Sequence, residues 1–252
     1  MIKARLENRI YNHILYDQLI SEGYSNLTAR ILAGRLCHGD QDHSHQIISP
    51  SLKDIPPPQL LKGIEKATKR IVVAIKQQQR VGILTDYDVD GITSHAIIYY
   101  ALTQYFGLPK DKISHHIGHR IKDGYGISHK LIERMLSSND SPDLIISADC
   151  GSSDHDRITI LKEAKIDVIV TDHHAIPDCG VPSDAYVTIN PTQNGCQYPD
   201  SEIAGCMVAW LVMSAVRNEL IQQGLLAQVQ PKLSGLLDFV SLGTVADAVS
   251  LK

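Results

Sequence analysis

Residues 81–94 read VGILTDYDVDGITS. The run Val81–Thr85 has the length and apolar content of a buried strand. It stops on carboxylates at alternate positions, Asp86, Asp88 and Asp90, and Gly91 opens a stretch that reads as a helix through Tyr105. Acids crowded at one strand end repel one another, so the cluster is tolerable only with a cation among them. An all-oxygen set suits a divalent metal ion. Taken alone, the stretch fits an acidic surface turn equally well, and the surrounding chain has to decide.

Outward from this stretch, short apolar strands alternate with helices. The strand candidates are Val81–Thr85, Ile113–Ile117, Asp143–Ala148, Asp167–Thr171 and Ala185–Ile189; the helix candidates between them are Ile92–Tyr105, Ser128–Leu136 and Asp156–Ala164. Runs such as LIISA and VIVT lack polar alternation, as strands covered on both faces do. The expected fold class is α/β: a mainly parallel five-stranded sheet with helices on both faces and right-handed crossovers. Ligands of such sheets sit at the carboxyl ends of the strands. There the chain places Asp86, Asp88 and Asp90, then Asp149-Cys150-Gly151 with Ser152 and Ser153, then Asp172-His173-His174. Asp247, in GTVADAVSL, follows an apolar helix expected over Leu233–Leu242 and can fold back to the same edge.

Residues 1–78 read as a helical region packed on a domain spanning 79–252. Capping residues around Ser25 and Thr28 precede the helical spacing of ARILAGRL, and QLLKGIEKATKRIVVAIKQQQ after the turn at Pro56-Pro57-Pro58 is strongly amphipathic. The tract HGDQDHSH at His38–His45 reads as a solvent loop.

Composition sets wide bounds. The 252 residues are 43% hydrophobic and 21% charged, ordinary values for a soluble globular protein. No apolar run approaches the roughly 20 residues of a bilayer span, and the first residues lack an uninterrupted signal-peptide core. The 5 cysteines include no CxxC pair, which fits reduced thiols and a cytoplasmic location. A net charge of −4 neither supports nor excludes a nucleic-acid substrate, since negative charge gathered around metal leaves other faces free.

Asp and His ligands without thiolates suit Mn²⁺, Mg²⁺, Fe²⁺ or Zn²⁺. In a two-ion arrangement one carboxylate bridges, and a hydroxide held by the ions attacks a phosphate ester or anhydride. Neighbouring histidines point differently, so one of His173 and His174 binds metal while the other faces the phosphate. Asp172 reads as the carboxylate that orients His173 from behind. Arg120, near Gly124-Tyr125-Gly126, suits a bidentate grip on phosphate, although a glycine-rich surface turn accounts for the same residues.

DYDVDG, ADCGSS, TDHHAIP and GTVADAVSL, in that order, resemble the motifs of the DHH phosphoesterase superfamily, and more narrowly of the RecJ-type single-strand-specific DNA exonucleases. IISPSLKDIPPPQLLKGIEKATKRI, GHRIKDGYGIS, TINPTQ and AGCMVAW extend the likeness over nearly the whole chain. The resemblance implies a two-ion Mn²⁺ or Mg²⁺ centre with Asp86, Asp88, Asp90, Asp149, His173 and Asp247 as metal ligands. Asp149 would bridge and His174 would meet the scissile phosphate, making these two the catalytic pair, while Arg120, Gly124, Ser152 and Ser153 would line the substrate. Two departures matter. Leu84 stands where many superfamily members have histidine, removing one ligand to the first ion. Cys150 stands in place of asparagine, which puts an oxidisable thiol beside the metal.

The function implied is 5′-to-3′ digestion of single-stranded DNA in repair and recombination, by a monomer working with single-strand-binding or repair proteins. A phosphodiesterase for short oligonucleotides or cyclic dinucleotides is the alternative. A catalytically silent DHH scaffold is disfavoured because the core acids and both histidines are present. Lys252 lies five residues past Asp247, so the substrate-closing domain expected beyond the last motif is not in this sequence, and weak, poorly processive hydrolysis is expected.

Overall fold

The computed structural model describes residues 9–35, 51–138, 141–227 and 232–250. The chain divides into two compact units, Met1–Ile55 and Pro56–Lys252. In the smaller unit α1 (His13–Ser21) is capped by Asn12, whose side chain accepts from the Leu15 amide at 3.2 Å. It pairs with α2 (Asn26–Arg35) through buried Leu15, Leu19, Ala29 and Ala33. Ser25 accepts from the Thr28 amide, so this helix begins ahead of the expected ARILAGRL. The His38–His45 tract lies outside the described residues.

The larger unit is built on β1 (Val81–Thr85), β2 (Ile113–Ile117), β3 (Leu144–Ala148), β4 (Asp167–Thr171) and β5 (Val187–Ile189). All neighbours are parallel, in the order β2-β1-β3-β4-β5. Strands β1 and β3 are buried at every position, which explains their unbroken apolar runs. One face carries Leu84, Ile145, Val168 and Val170 against α5 (His129–Leu136) and α6 (His155–Glu163). Leu131, Ile132 and Met135 form the buried stripe of α5; each contributes about 2 kcal/mol of burial. On the other face lie α3 (Ile64–Lys76), α4 (Val89–Tyr100), α7 (Gly205–Gln222) and α8 (Leu237–Ala246), packed on one another and on the strands. Helix α3, which the sequence groups with the N-terminal region, belongs to this larger unit, whose first residue is Pro56.

The element ends are set by local hydrogen bonds. Asp88 accepts from the Gly91 amide at 2.9 Å and starts α4 three residues before the expected Ile92. Past Tyr100 the chain makes a π turn over Ala101–Tyr105. Ser128 caps α5 and stands outside it. The Asp143 carboxylate accepts from the Arg80 amide, so the strand starts at Leu144. The apolar stretch from Leu233 first makes a 3₁₀ turn and becomes helical only from Leu237. The chain leaves β1 toward β2 and returns to β3 on the other side of β1, so the order reverses between β1 and β3, the position where sheets of this kind hold ligands.

A histidine cluster flanks β2. His95 of α4 lies 2.7 Å from His115 and 3.3 Å from the Thr85 hydroxyl. Burial, then the neighbouring imidazoles, hold His95 down to about 4. Burial, His115 and Arg134 do the same to His116. Both are neutral when folded but take up protons near pH 6.5 once unfolded. Their contribution is therefore intact above that pH and is lost as pH falls toward about 4. Each should cost about 2 kcal/mol between pH 7 and pH 5. Denaturant midpoints at the two pH values check this: the pH-dependent loss should shrink by about half of the pair's share in His95→Gln, and an unchanged loss would contradict it.

Candidate metal centre

Asp86 leaves the end of β1, Asp88 caps α4 and Asp90 sits in the first turn of that helix. The chain doubles back so closely that a Cβ on Gly91 would lie 2.4 Å from the Asp86 carbonyl oxygen, so only glycine fits. Asp149, directly after β3, adopts φ 60°, a left-handed conformation that costs an L-residue about 1 kcal/mol and is found at functional sites. It is 1% exposed. Asp172, His173 and His174 follow β4, and Asp247 caps the C-terminus of α8.

These side chains converge. His173 Nε2 is 3.1 Å from Asp149 Oδ1 and 3.7 Å from both Asp90 Oδ2 and Asp247 Oδ2. Donor atoms of Asp86, Asp88 and Asp149 lie within 4.8 Å of one another; so do those of Asp90, His173 and Asp247, and those of Asp149, His173 and His174. Asp149 thus stands between a group on the β1 side and a group on the β4 side. All the residues expected as metal ligands are brought together.

The electrostatics fit a cation. Burial, then the charges of Asp90 and Asp88, push the Asp149 carboxyl up to about 10. Burial and Asp88 raise Asp86 against the pull of the Tyr87 amide, and Asp86 Oδ1 is buried with no hydrogen-bond partner. Asp247 is raised by burial and by Asp90 and Asp88, opposed by the histidines. An orphaned buried carboxylate oxygen beside mutually repelling acids is what a divalent ion would satisfy.

Asp90 is held differently. Its Oδ2 accepts from the Gly205 amide at 2.6 Å and its Oδ1 from the Cys206 amide at 2.9 Å. Helix α7 has no side-chain cap of its own, so Asp90 caps it from across the fold and meets the positive end of its dipole.

Several expectations need correction. Asp172 does not orient the ring of His173: its Oδ1 accepts from the His174 ring Nδ1 at 2.8 Å and from the amides of both histidines. Burial works to raise Asp172, but these bonds and the Ser152 amide outweigh it and hold the carboxyl below its ordinary range. The same bond raises His174. Ser152, expected to line the substrate, is 0% exposed; its amide donates to Asp172 and its hydroxyl accepts from Asn190, so it braces the site from behind. Cys150 is fully buried in the apolar cluster and burial pushes its thiol well above the usual range, so it is not the oxidisable neighbour expected. Leu84 packs in that same cluster. Ser153 is exposed, Gly124 takes φ +82°, and the exposed Arg120 stacks 4.7 Å over the Tyr87 ring.

The residue-level reading missed Tyr125, Asn190 and the α7 amides. The Tyr125 hydroxyl is 3.2 Å from His174 Nδ1 and 3.4 Å from the Asp149 carbonyl oxygen. Burial of that end and the surrounding acids hold it as the neutral phenol. Its flanking glycines, both at positive φ, were the available signal. Asn190 donates to the His174 carbonyl at 2.9 Å. For α7 the signal was Ala204-Gly205-Cys206, small residues at the head of a long apolar helix.

The DHH family, N-terminal domain, matches residues 80–244; the chain belongs to the DHH family. Within it, the chain is 36% identical over 255 residues to the single-stranded-DNA-specific exonuclease RecJ of Haemophilus influenzae, covering 100% of this chain and 40% of that protein. It is 36% identical over 211 residues to the Escherichia coli RecJ, covering 82% and 35%. A crystal structure of exonuclease RecJ bound to manganese superposes with a TM-score of 0.62 at 28% identity, over 75% of this chain and 44% of that one. The Thermus thermophilus RecJ in complex with Mn²⁺ shares the fold, with a TM-score of 0.64 at 23% identity, over 95% of this chain and 31% of that one. The chain therefore spans about two fifths of the length of the first of these relatives. Among the described residues, no helix is long and apolar enough to cross a membrane.

The centre depends on close helix approach. A Cβ on Gly243 would lie 2.5 Å from Thr93 Oγ1, 2.6 Å from Cys206 Sγ and 2.7 Å from Asp90 Oδ1. Gly243→Ala should force α8 off α4 and α7, costing about 2 kcal/mol and weakening Mn²⁺ binding by moving Asp90 and Asp247 apart. Denaturant unfolding and calorimetric Mn²⁺ titration test this; wild-type values in both would contradict it.

Proposed function

We propose that this chain is the catalytic core of a metal-dependent exonuclease acting on single-stranded DNA. The observation that carries the reading is Asp149, placed between the Asp86–Asp88 group and the His173 group, as a carboxylate shared by two ions would be. Asp86 and Asp88 would hold one ion with Asp149. Asp90, His173 and Asp247 would hold the other, again with Asp149. A bound ion pair supplies Lewis acidity: it acidifies the attacking water and offsets charge on the phosphoryl oxygens. Mn²⁺ is favoured because the RecJ structures similar to this chain contain it.

The remaining work falls to the chain's own groups. Asp172 fixes the His174 ring through Nδ1, and the raised affinity of that ring for protons keeps an N–H to donate toward a phosphate oxygen. Tyr125 closes over the ring at 5.6 Å between centroids and limits its rotation. Arg120, held on Tyr87, presents its guanidinium beside the acids for a non-bridging oxygen. The 5′-to-3′ direction and a role in repair and recombination follow the RecJ resemblance.

The test is Mn²⁺-dependent digestion of 5′- and 3′-end-labelled single strands beside the same sequence as duplex. Release of mononucleotides from the 5′ end of single strands alone is the expected result; indifference to strandedness, or preference for oligomers of two to five nucleotides, would overturn it. Asp149→Ala should lower kcat by at least about 10³-fold, and His174→Ala by about 10²–10³-fold while leaving Mn²⁺ affinity within about two-fold. His173→Ala should instead weaken Mn²⁺ binding. If His174→Ala releases Mn²⁺ and His173→Ala does not, the roles of the pair are reversed.

A further inference from the structure

A centre made of carboxylates repels the polyanion it is meant to cut, and its two flanks differ in charge. On one side a groove of about 560 Å³ reaches His173 and is lined by Thr192, Ser201 and Glu202, with no lysine or arginine among the described residues that line it. On the other, a groove of about 300 Å³ begins at Tyr125 and runs over Lys122, His129, Lys130 and Arg157. This second groove adjoins the centre through Tyr125, whose hydroxyl touches His174 and the Asp149 carbonyl. Its charges are partly matched internally: Asp123 receives both nitrogens of Arg134, at 2.7 and 2.8 Å, and Arg157 pairs with Asp154. No carboxylate among the described residues pairs with Lys122 or Lys130, both exposed; the Lys130 ammonium donates to the Lys122 carbonyl at 3.0 Å, which sets the two side by side.

From this asymmetry we propose that the groove over Lys122 and Lys130 carries the phosphodiester backbone of single-stranded nucleic acid on the uncut side of the scissile bond. The proposal rests on the reading of the centre as a nuclease and adds a direction: the strand runs from the acids past Tyr125 onto the start of α5, and not toward Glu202. The Tyr125 ring, 51% exposed, stands at the head of this track, where a base can stack on it. A short substrate with one phosphate gains nothing from the groove, whereas each further phosphate meeting a lysine releases a counterion.

The experiment compares the wild-type chain, K122E/K130E and K110E/K165E. Lys110 and Lys165 are exposed and precede β2 and β4, at the opposite end of the sheet from the centre, so the control makes the same change in net charge away from the groove. Binding of a fluorescent oligothymidylate of about 20 nucleotides is followed by anisotropy in EDTA, from about 50 to about 200 mM salt. K122E/K130E should bind at least about ten-fold more weakly, with a plot of log affinity against log salt shallower by about 1.4, and the control should match wild type. With Mn²⁺, the ratio of kcat/KM for that strand to kcat/KM for a dinucleotide should fall by about ten-fold in K122E/K130E alone. Binding unchanged in K122E/K130E, or equally weakened in the control, overturns the groove. Wild type that binds the strand in this charge-dependent way and cleaves nothing overturns the nuclease reading and leaves the groove standing.

Discussion

Repulsion among carboxylates at the carboxyl edge of a parallel sheet is the constraint to which the rest of the larger unit answers. Asp86, Asp88 and Asp90 share one turn while Asp149 and Asp247 come from distant parts of the chain, and a backbone feature brings each of these three parts to the others. Gly91 lets the chain fold back on Asp86, the left-handed backbone of Asp149 turns its carboxyl inward, and the absence of a side chain at Gly243 lets α8 deliver Asp247. Isolated ionised carboxylates in such a place cost several kcal/mol each, so the surroundings must supply positive potential.

That potential has two sources within the chain. One is the N-terminus of α7, whose amides bind both oxygens of Asp90 and so fix the orientation of one acid. The other is the His174 imidazole, which its bond to Asp172 pushes above the ordinary range; the two histidines are divided by environment. His173 lies among carboxylates, whereas His174 is turned away by Asp172 and meets Tyr125 near solvent. Identical neighbouring residues thus sit in different surroundings because one bond, from His174 Nδ1 to Asp172, sets the ring of the second. What remains unsatisfied, the free oxygen of Asp86 and the raised carboxyl of Asp149, lies where a bound cation would contribute most.

Much of this was legible in the sequence. Val81–Thr85 and Asp167–Thr171 are bounded to the residue because buried parallel strands need apolar runs and end where polarity returns; Ile113–Ile117, an edge strand of ISHHI with only Ile113 buried, is bounded by its terminal isoleucines instead. The convergence of the acids followed from topology, since every parallel strand delivers its end to one edge. What escaped were contacts between elements far apart in the chain. Asp90 capping α7 joins residues separated by 115 positions, and neither end announces the other. Tyr125 looked like part of a glycine-rich turn, and its hydroxyl gains meaning only when the turn lies against β3 and β4. The resemblance implies that Ser152 faces substrate; after Gly151, at positive φ, its side chain is buried instead. Asp172 was matched to the wrong histidine because sequence adjacency does not say which ring folds back.

The most direct test is thermal unfolding of the chain with and without Mn²⁺, set beside Asp149→Ala. If the clustered acids are held together by shared cations, Mn²⁺ at about 100 times its dissociation constant should stabilise the fold by about 2.7 kcal/mol, raising the midpoint by about 5–10 °C. Asp149→Ala should lose most of that rise. A midpoint that Mn²⁺ leaves unmoved in the wild-type chain, or raises equally in Asp149→Ala, would show that these carboxylates are not a metal centre.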